Sequence, residues 1–323
     1  MMWVVAAWAA PEPTLERVAV GEAEIALHHT PGDGPPVVLV HGVSCNAAFF
    51  DLSPDRSLVD ALWDAGFDVW AVDLRGHGDA AWPPVAATLD DYGSDVAAAL
   101  RLVAGRTGRD PAYVGHSMGG IVLAYALVAA PDLPLRAAVI IGSPIELRDP
   151  DPTLRSLPVV LPLARGERVP TPAGAELLSV TRRDTVLRID ELVHNRDNLA
   201  REAELELFRR QMSPVSPRVL ATFAQAIRGD GELRTADGVA VRGALAAVHT
   251  PMSFFAGRVD HIVSPDRVRA YHDAVGSTDK TWWVAARANG AHADYGHLDL
   301  VIGDHAPVDV FPRIVAFLAA ETR

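Results

Sequence analysis

The sequence predicts a mostly parallel α/β sheet with helices on both faces, interrupted by a helical insertion. Short apolar runs alternate with helical stretches between residues 17 and 143. Alternation at this spacing is typical of βαβ crossovers, which produce parallel strands. The alternation stops from residue 147 to residue 248 and resumes afterwards. A single sheet domain with one inserted segment is the simplest fold that explains both observations.

Short apolar runs bounded by turn residues are predicted as strands. A continuous run such as Val37–Val40 indicates a strand that is buried on both faces. In chain order the predicted strands are Val37–Val40, Asp68–Val72, Ala112–Val114, Ala137–Ile141, Met252–Phe255 and Trp282–Val284.

Helices are predicted where apolar residues recur every three or four positions. The predicted ranges are Ser57–Ala65, Tyr92–Ala104, Gly119–Ala129, Asp190–Met212, Val219–Ile227 and Val308–Ala320. Pro312 fits only the first turn of the last helix, because proline lacks a backbone N–H donor. Apolar residues of the insertion are interpreted as core between its helices rather than pocket lining: Leu205, Phe208, Met212, Val219, Leu220 and Phe223.

These elements predict a core domain of residues 16–146 and 249–323, a helical cap of residues 147–248 and an N-terminal tail of residues 1–15. The apolar segment Met1–Ala10 is shorter than the roughly 20 residues that span a bilayer, and it lacks the positive charge of a signal peptide. We interpret it as a surface tail and expect a cytoplasmic protein. The remnant of an export signal is the alternative.

Composition and charge exclude several classes of protein. Hydrophobic residues make up 49% and charged residues 22% of the chain, as in ordinary globular domains. The net charge of −12 argues against a nucleic-acid partner and against an anionic membrane surface. One cysteine, Cys45, permits neither an intrachain disulfide nor a cysteine-rich zinc site. The sequence predicts no oligomeric state.

The stretch Gly115-His116-Ser117-Met118-Gly119 fits the G-x-S-x-G pattern between a predicted strand and a predicted helix. This context indicates a nucleophile elbow, a sharp turn that lifts the serine hydroxyl clear of the sheet. Glycine is needed at 115 and 119 because larger side chains would collide there. A neutral serine needs a histidine base, which a carboxylate must orient. The backbone N–H of Met118 is the expected oxyanion donor.

The stretch Pro35–Ser143 resembles the α/β-hydrolase superfamily, and the stretch Pro251–Ala320 continues the resemblance. The insertion does not share it. The motifs that carry the resemblance are His41-Gly42, Asp73-Leu74-Arg75-Gly76-His77-Gly78 and the elbow, in the order of that family. The family implies an α/β-hydrolase fold with a cap inserted after the strand that ends near Ile141.

The resemblance also implies the remaining site residues. The second oxyanion donor would be the backbone N–H of Val43. Residues 257–263 resemble the family's acid loop, which makes Asp260 the acid, and residues 295–299 resemble its G-H-x-D loop, which makes His297 the base. No cofactor or metal is implied. Asp73 and His77 match a loop that holds turns, and we interpret His116 as a packing residue.

Other residues are alternatives to these assignments. Cys45 is a second conceivable nucleophile, although it lies in no elbow, and His292 is a second conceivable base. Asp260 could instead cap a helix or lie on the surface, and Asp266 is the better capping candidate. The group His292, Asp294, His297 and Asp299 has the residue types of a zinc site, but one member is already needed as the base. His305 is expected in a surface or core role.

The expected function is that of a serine carboxyl-ester hydrolase, whose expected partner is a small-molecule ester or acyl substrate. Residues 55–77 and 295–303 are similar to acid lipases and polyhydroxyalkanoate synthases. The synthases carry cysteine at the elbow, so Ser117 favours hydrolysis over polymerisation. Dehalogenases and epoxide hydrolases of this fold carry aspartate there and are disfavoured. A thioesterase or acyltransferase, a carbon–carbon bond hydrolase and a non-catalytic ligand receptor are the alternatives.

Overall fold

A computed structural model describes residues 10–148, 168–169 and 193–322 of the chain, and these contain an eight-stranded sheet. The strands are β1 (Thr14–Val20), β2 (Ala23–Thr30), β3 (Pro36–Val40), β4 (Asp68–Asp73), β5 (Ala112–His116), β6 (Ala137–Ile141), β7 (Met252–Gly257) and β8 (Lys280–Ala285). Their order across the sheet is β1-β2-β4-β3-β5-β6-β7-β8. All pairs from β4 to β8 are parallel, and β2 pairs antiparallel with β1 and β4. The predicted α/β fold around a mostly parallel sheet is confirmed.

The antiparallel hairpin of β1 and β2 was not predicted. Val20 pairs with Ala23, so Gly21 and Glu22 form a two-residue turn, and Gly21 has a φ of 63°. The side chains of β1 alternate between exposed and half-buried, because β1 lies at the edge of the sheet. The alternation and the glycine turn were signals in the sequence. Residues 1–9 of the predicted tail lie outside the described residues, and β1 begins at Thr14.

The described helices are named here in chain order. They are α1 (Leu58–Asp64), α2 (Leu89–Thr107), α3 (Met118–Ala129), α4 (Arg201–Arg210), α5 (Pro217–Arg228), α6 (Val241–Ala244), α7 (Pro265–Ala274), α8 (Asp299–Ile302), α9 (Ala306–Asp309) and α10 (Phe311–Thr322). Short 3-10 helices are Ala47–Phe50, Arg196–Asn198, Leu245–Ala247 and Arg287–Asn289. In the part of the chain that is described, no helix has both the length and the apolar character needed to cross a membrane.

Two predicted helices are divided in the structure. The range predicted as Val308–Ala320 contains the end of α9 and most of α10, with Pro312 in the first turn of α10 as expected. The range predicted as Asp190–Met212 contains a 3-10 turn followed by α4, and residues 190–192 lie outside the described residues.

The core forms two layers, one on each face of the sheet. Successive strand residues face opposite sides, so Val38 and Val40 belong to one layer and Val37 and Leu39 to the other. Residues of α2 and α3 complete the first layer, and residues of α1 and α10 complete the second. This explains why the central strands are continuously apolar.

Helices of the insertion belong to the same two layers. Leu207 of α4 is buried in the second layer, and Phe208 packs against it. Val219 of α5 is buried in the first layer, and Phe223 packs against it. We expected these apolar residues to form a core between the insertion's own helices. The structure corrects this expectation, because α4 and α5 extend the two core layers of the sheet. Leu205, Met212 and Leu220 are half-buried.

Candidate active site

The elbow is a sharp turn between β5 and α3. β5 ends at His116, α3 begins at Met118, and Ser117 between them has φ 53° and ψ −117°. Among the described residues, Ser117 is the single non-glycine residue with positive φ. Such a conformation is strained for a residue with a side chain and is typical of functional sites. The turn is held by the Ser117 N–H, which donates to the carbonyl of Ile141 on β6 (2.8 Å).

Both glycines of the elbow lie where a side chain would collide with backbone. A Cβ at Gly119 would lie 2.2 Å from the carbonyl oxygen of Val40 on β3. A Cβ at Gly115 would lie 2.8 Å from the backbone of Gly119 and Gly120. The elbow therefore requires small residues at both positions, for the steric reason that the sequence suggested.

Ser117, His297 and Asp260 form one hydrogen-bonded chain. The Oγ of Ser117 lies 2.9 Å from Nε2 of His297, and Nδ1 of His297 lies 2.7 Å from Oδ2 of Asp260. His297 and Asp260 are buried, whereas Ser117 is half-buried. A ring that donates from Nδ1 to the carboxylate has its Nε2 lone pair free to accept the serine proton. The three residues come from separate stretches of the chain, as the resemblance implied.

The loop after β7 fixes Asp260. Its Oδ1 accepts hydrogen bonds from the backbone N–H groups of Ile262 (2.8 Å) and Val263 (2.7 Å). This leaves Oδ2 for His297, so the two oxygens have separate partners. The candidate cap Asp266 lies in the first turn of α7, and Ser264 rather than Asp266 precedes that helix.

His116 holds the backbone of His297. Its Nε2 donates to the carbonyl oxygen of His297 (3.1 Å), and its ring packs between those of Phe49 and His297. Burial lowers the pKa of His116 well below the usual value for histidine, so the ring is neutral and the donating Nε2 carries its proton. The packing of His116 was predicted from the sequence, but this link from the elbow to the candidate base was not.

His41 fixes the peptide that carries the Val43 N–H. The carbonyl of Gly42 belongs to that peptide, and it accepts from His41 Nδ1 (2.8 Å) and from the Cys45 N–H (3.2 Å). Because the peptide is trans, its N–H points away from these donors. Burial lowers the pKa of His41 to about 3. The ring is therefore neutral, and its Nε2 accepts from the Leu74 N–H (3.4 Å).

The first turn of α3 presents the Met118 N–H and is held by two tyrosines. The Tyr113 hydroxyl donates to the carbonyl of Gly119 (2.7 Å), and the Tyr271 hydroxyl donates to that of Gly120 (2.9 Å). The N–H groups at the start of a helix have no intrahelical acceptor. The two N–H groups that the sequence named as oxyanion donors thus lie at the beginning of α3 (Met118) and in the loop after β3 (Val43).

The alternative residues lie in other environments. Cys45 is buried, which raises the pKa of its thiol to about 12, so it is not a thiolate near pH 7. His292 Nδ1 lies 2.6 Å from Asp309, and its ring stacks on His305. Asp294 accepts from the N–H of Arg287. The four residues considered as a zinc group thus have different partners.

Asp73 and His77 hold turns, as the sequence analysis expected. Asp73 accepts from the N–H groups of Ala47 (2.6 Å) and Asp79 (2.8 Å), and His77 Nε2 lies 3.2 Å from the carbonyl of Val43. Asp73 also belongs to a group with His28 and Asp79 whose potential ligand atoms lie within 4.8 Å of one another. The bonds of Asp73 to the backbone assign it a structural role.

A segment of the insertion contacts both sides of this site. Residues 193–213, named the brace here, run along the histidine loop (residues 294–305) and the β3 loop (residues 41–46). At one end, the Leu298 N–H donates to the carbonyl of Val193 (2.8 Å). At the other end, the Ser213 N–H donates to the carbonyl of Ser44 (2.8 Å). The non-local contacts of the brace were not predicted from the sequence.

Comparison with known proteins places the chain in a family. A family model described as "Serine aminopeptidase, S33" matches residues 35–292. The chain is 34% identical over 118 residues to 2-(acetamidomethylene)succinate hydrolase of Mesorhizobium japonicum, a match covering 36% of this chain and 38% of that protein. It is 24% identical over 303 residues to a poly(3-hydroxyalkanoate) polymerase subunit of Haloferax mediterranei, covering 88% of this chain and 58% of the relative.

A solved structure of similar fold is a thermophilic esterase from Thermogutta terrifontis. Its TM-score is 0.67 at 21% identity, and the alignment covers 96% of this chain and 100% of that one. This likeness shows the α/β-hydrolase fold. The family match over residues 35–292 includes the elbow and every strand from β3 to β8, and the chain accordingly belongs to the serine aminopeptidase S33 family of α/β-hydrolases.

Proposed function

We propose that this protein cleaves carboxyl esters through an acyl-enzyme, with Ser117 as nucleophile, His297 as base and Asp260 as orienting acid. The observation that carries the proposal is the continuous hydrogen-bonded chain from Ser117 Oγ through His297 to Asp260, on a strained elbow. Such a chain supplies the nucleophile, the base and the correct tautomer together.

In the first half-reaction, His297 Nε2 takes the proton of Ser117 as Oγ attacks the ester carbonyl carbon. The carbonyl oxygen becomes an oxyanion, to which the N–H groups of Val43 and Met118 donate. The imidazolium of His297 then returns the proton to the leaving alcohol as the carbon–oxygen bond breaks. Asp260 stabilises the imidazolium through Nδ1.

In the second half-reaction, water replaces the alcohol. The water oxygen attacks the acyl carbon while His297 accepts a proton from the water. The N–H groups of Val43 and Met118 donate to the second oxyanion as they did to the first. The proton passes back to Ser117 as the acid product leaves. No metal or cofactor enters either half-reaction.

An acyltransferase is the second candidate, because a relative that matches 88% of this chain is a polymerase subunit. The acyl-enzyme is shared by both functions, and the second nucleophile decides between them: water for a hydrolase, an alcohol or thiol for a transferase. Ser117 favours water as the second nucleophile, because the polyhydroxyalkanoate synthases that the chain resembles carry cysteine at the elbow. A relative with 34% identity over 118 residues is also named a hydrolase.

A substrate panel tests the proposal. We expect wild-type protein to hydrolyse p-nitrophenyl esters with a dependence on acyl length. We expect Ser117→Ala to lose about 10⁴-fold or more in kcat, as happens when a nucleophile of this type is removed. Ser94→Ala makes the same chemical change on an exposed face of α2 and is the matched control.

The panel also contains an acyl thioester, with and without an alcohol acceptor, and an aminoacyl p-nitroanilide. Thioester turnover that requires the acceptor would replace the proposal by a transferase. Preferred cleavage of the anilide would replace it by a peptidase. Ester hydrolysis that survives in Ser117→Ala would remove Ser117 from the mechanism.

A further inference from the structure

Asp299 is a buried carboxylate that joins the histidine loop to the brace. It lies two residues after His297 and is fully buried. Its Oδ1 accepts from the N–H of Gly296 (2.9 Å), within the histidine loop. The same oxygen accepts from the N–H of Asn195 (3.1 Å), and Oδ2 accepts from Asn198 Nδ2 (2.9 Å), both in the brace.

Further hydrogen bonds run in parallel with those of Asp299. The side chain of Asn195 donates to the carbonyl of Asp294 (2.6 Å), and the Asp304 N–H donates to the carbonyl of Asn198 (2.8 Å). The histidine loop and the brace lie so close together that a Cβ at Gly296 would be 2.8 Å from the backbone nitrogen of Asn195. The loop that carries His297 therefore rests on the brace along its length.

The brace is anchored at its other end to the β3 loop, which carries the Val43 N–H. Asn46 Nδ2 donates to the carbonyl of Arg210 (3.0 Å), and Cys45 forms a backbone bridge with Met212. The same segment thus connects the loop of the candidate base to the loop of a candidate oxyanion donor.

We propose that Asp299 is a positioning residue that holds the His297 loop against the brace, so that Nε2 of His297 stays within hydrogen-bonding distance of Ser117. The inference rests on the proposed function of Ser117 and His297. The described hydrogen bonds of the Asp299 side chain go to Gly296 and to the brace rather than to Ser117 or His297, so it acts through these neighbours.

The three donors around Asp299 specify a carboxylate rather than an amide. Burial raises the pKa of Asp299 to about 7, and the donors of Asn198, Asn195 and Gly296 oppose that rise. An amide at position 299 would turn an NH2 group toward Asn198 Nδ2, which is also a donor. Rotating the Asn198 amide moves the conflict to the His305 N–H, which donates to Asn198 Oδ1 (3.3 Å). Asp299→Asn therefore leaves two donors facing each other.

The test compares Asp299→Asn with Asp309→Asn. Asp309 is the matched control, because it is also a buried carboxylate bonded to the same region, but its hydrogen bonds run to His292 and Tyr295 rather than to Asn195 and Asn198 of the brace. At pH 8, where Asp299 is ionised, we expect Asp299→Asn to lower kcat on a p-nitrophenyl ester by about 10- to 100-fold, as a misplaced catalytic group does, with KM within about threefold. The rate of labelling by a fluorophosphonate should fall in parallel. Asp309→Asn should keep kcat within about threefold.

A double variant tests whether the hydrogen bonds between positions 198 and 299 hold the loop. Asp299→Asn combined with Asn198→Asp exchanges the donor and the acceptor, so that every hydrogen bond described for the pair has a partner again. We expect the double variant to recover at least about tenfold of the lost kcat. If Asp299→Asn does not fold, Asn198→Ala removes one donor from the brace and should lower kcat about fivefold, the effect of a single hydrogen bond.

The inference is overturned if folded Asp299→Asn keeps wild-type kcat and labelling. It is also overturned if Asp309→Asn falls equally, if the double variant gains nothing, or if Asn198→Ala, where it is the variant used, leaves kcat unchanged. These results differ from failure of the proposed function, in which Ser117→Ala itself retains hydrolysis and labelling.

Discussion

At the scale of single residues, the two oxygens of Asp260 have separate roles. Oδ1 is held by two backbone N–H groups of its own loop, and Oδ2 faces Nδ1 of His297. The backbone bonds fix the carboxyl plane, so an amide placed there must direct its oxygen to the backbone and its NH2 to the imidazole.

Asp260→Asn should therefore lower kcat by roughly 10³- to 10⁴-fold with little change in the fold. The introduced NH2 requires an acceptor at His297 Nδ1, which moves the ring proton to Nε2, so the ring cannot accept the serine proton. Steady-state hydrolysis of a p-nitrophenyl ester measures the effect. Asp266→Asn, an exposed change in the first turn of α7, is the control. A variant within tenfold of wild type would contradict the role of Asp260.

At the scale of elements, the loop after β4 is tied to α2 by a buried ion pair. Arg75 Nε lies 3.0 and 2.9 Å from the two oxygens of Asp95, and the Arg75 N–H also donates to Asp95 (3.2 Å). Asp95 is fully buried, and Arg75 lies in the loop whose turns Asp73 and His77 hold. Removal of one partner from a buried pair leaves an uncompensated charge.

Arg75→Met should lower the free energy of unfolding by about 3 kcal/mol or more, measured by urea denaturation at pH 7. Arg106→Met removes an exposed ion pair with Glu16 and should cost less than about 1 kcal/mol. The pair Arg75→Met with Asp95→Leu should recover most of the loss, since neither charge remains. If Arg75→Met and Arg106→Met lower the free energy of unfolding equally, this account of the buried pair is contradicted.

At the scale of the whole molecule, the sequence predicts those features that depend on neighbouring residues in the chain. The buried strands were predicted because each is a short continuous apolar run, and the elbow because glycines flank Ser117 on a strand-to-helix turn. The edge strand β1 was missed because Glu16 and Arg17 interrupt it, so it is not a continuous apolar run. The brace could not be predicted, because its bonds join groups far apart in the chain, such as the backbone N–H of Asn195 and the side-chain carboxylate of Asp299. His116 was placed correctly in the packing, but its bond to His297 depends on the fold.

Asp299 also makes the free energy of unfolding depend on pH, and its contribution falls as the pH rises. Its pKa is about 7 in the folded protein, above that of an unfolded chain, because burial penalises the charged form. Between about pH 4 and 7 the folded state therefore holds a proton that the unfolded state has lost. The contribution of Asp299 to the free energy of unfolding is therefore fully present at about pH 4 and is lost as the pH rises to about 7.

Urea unfolding of wild type and Asp299→Asn between pH 5 and 8 isolates this effect, because the other carboxylates are common to both proteins. The stability of wild type relative to the variant should fall as pH rises, with a slope of at most about 1.4 kcal/mol per pH unit, and level off above pH 7. A difference that is constant or rises with pH would contradict the raised pKa.

The central claim is that Ser117 is an activated nucleophile held by His297. Intact-mass analysis after treatment with a fluorophosphonate tests it most directly, with wild type, Ser117→Ala and Ser94→Ala treated in parallel. The account predicts one covalent adduct on wild type and on Ser94→Ala, and none on Ser117→Ala. An adduct that persists on Ser117→Ala, or a wild-type protein that acquires none, would contradict it.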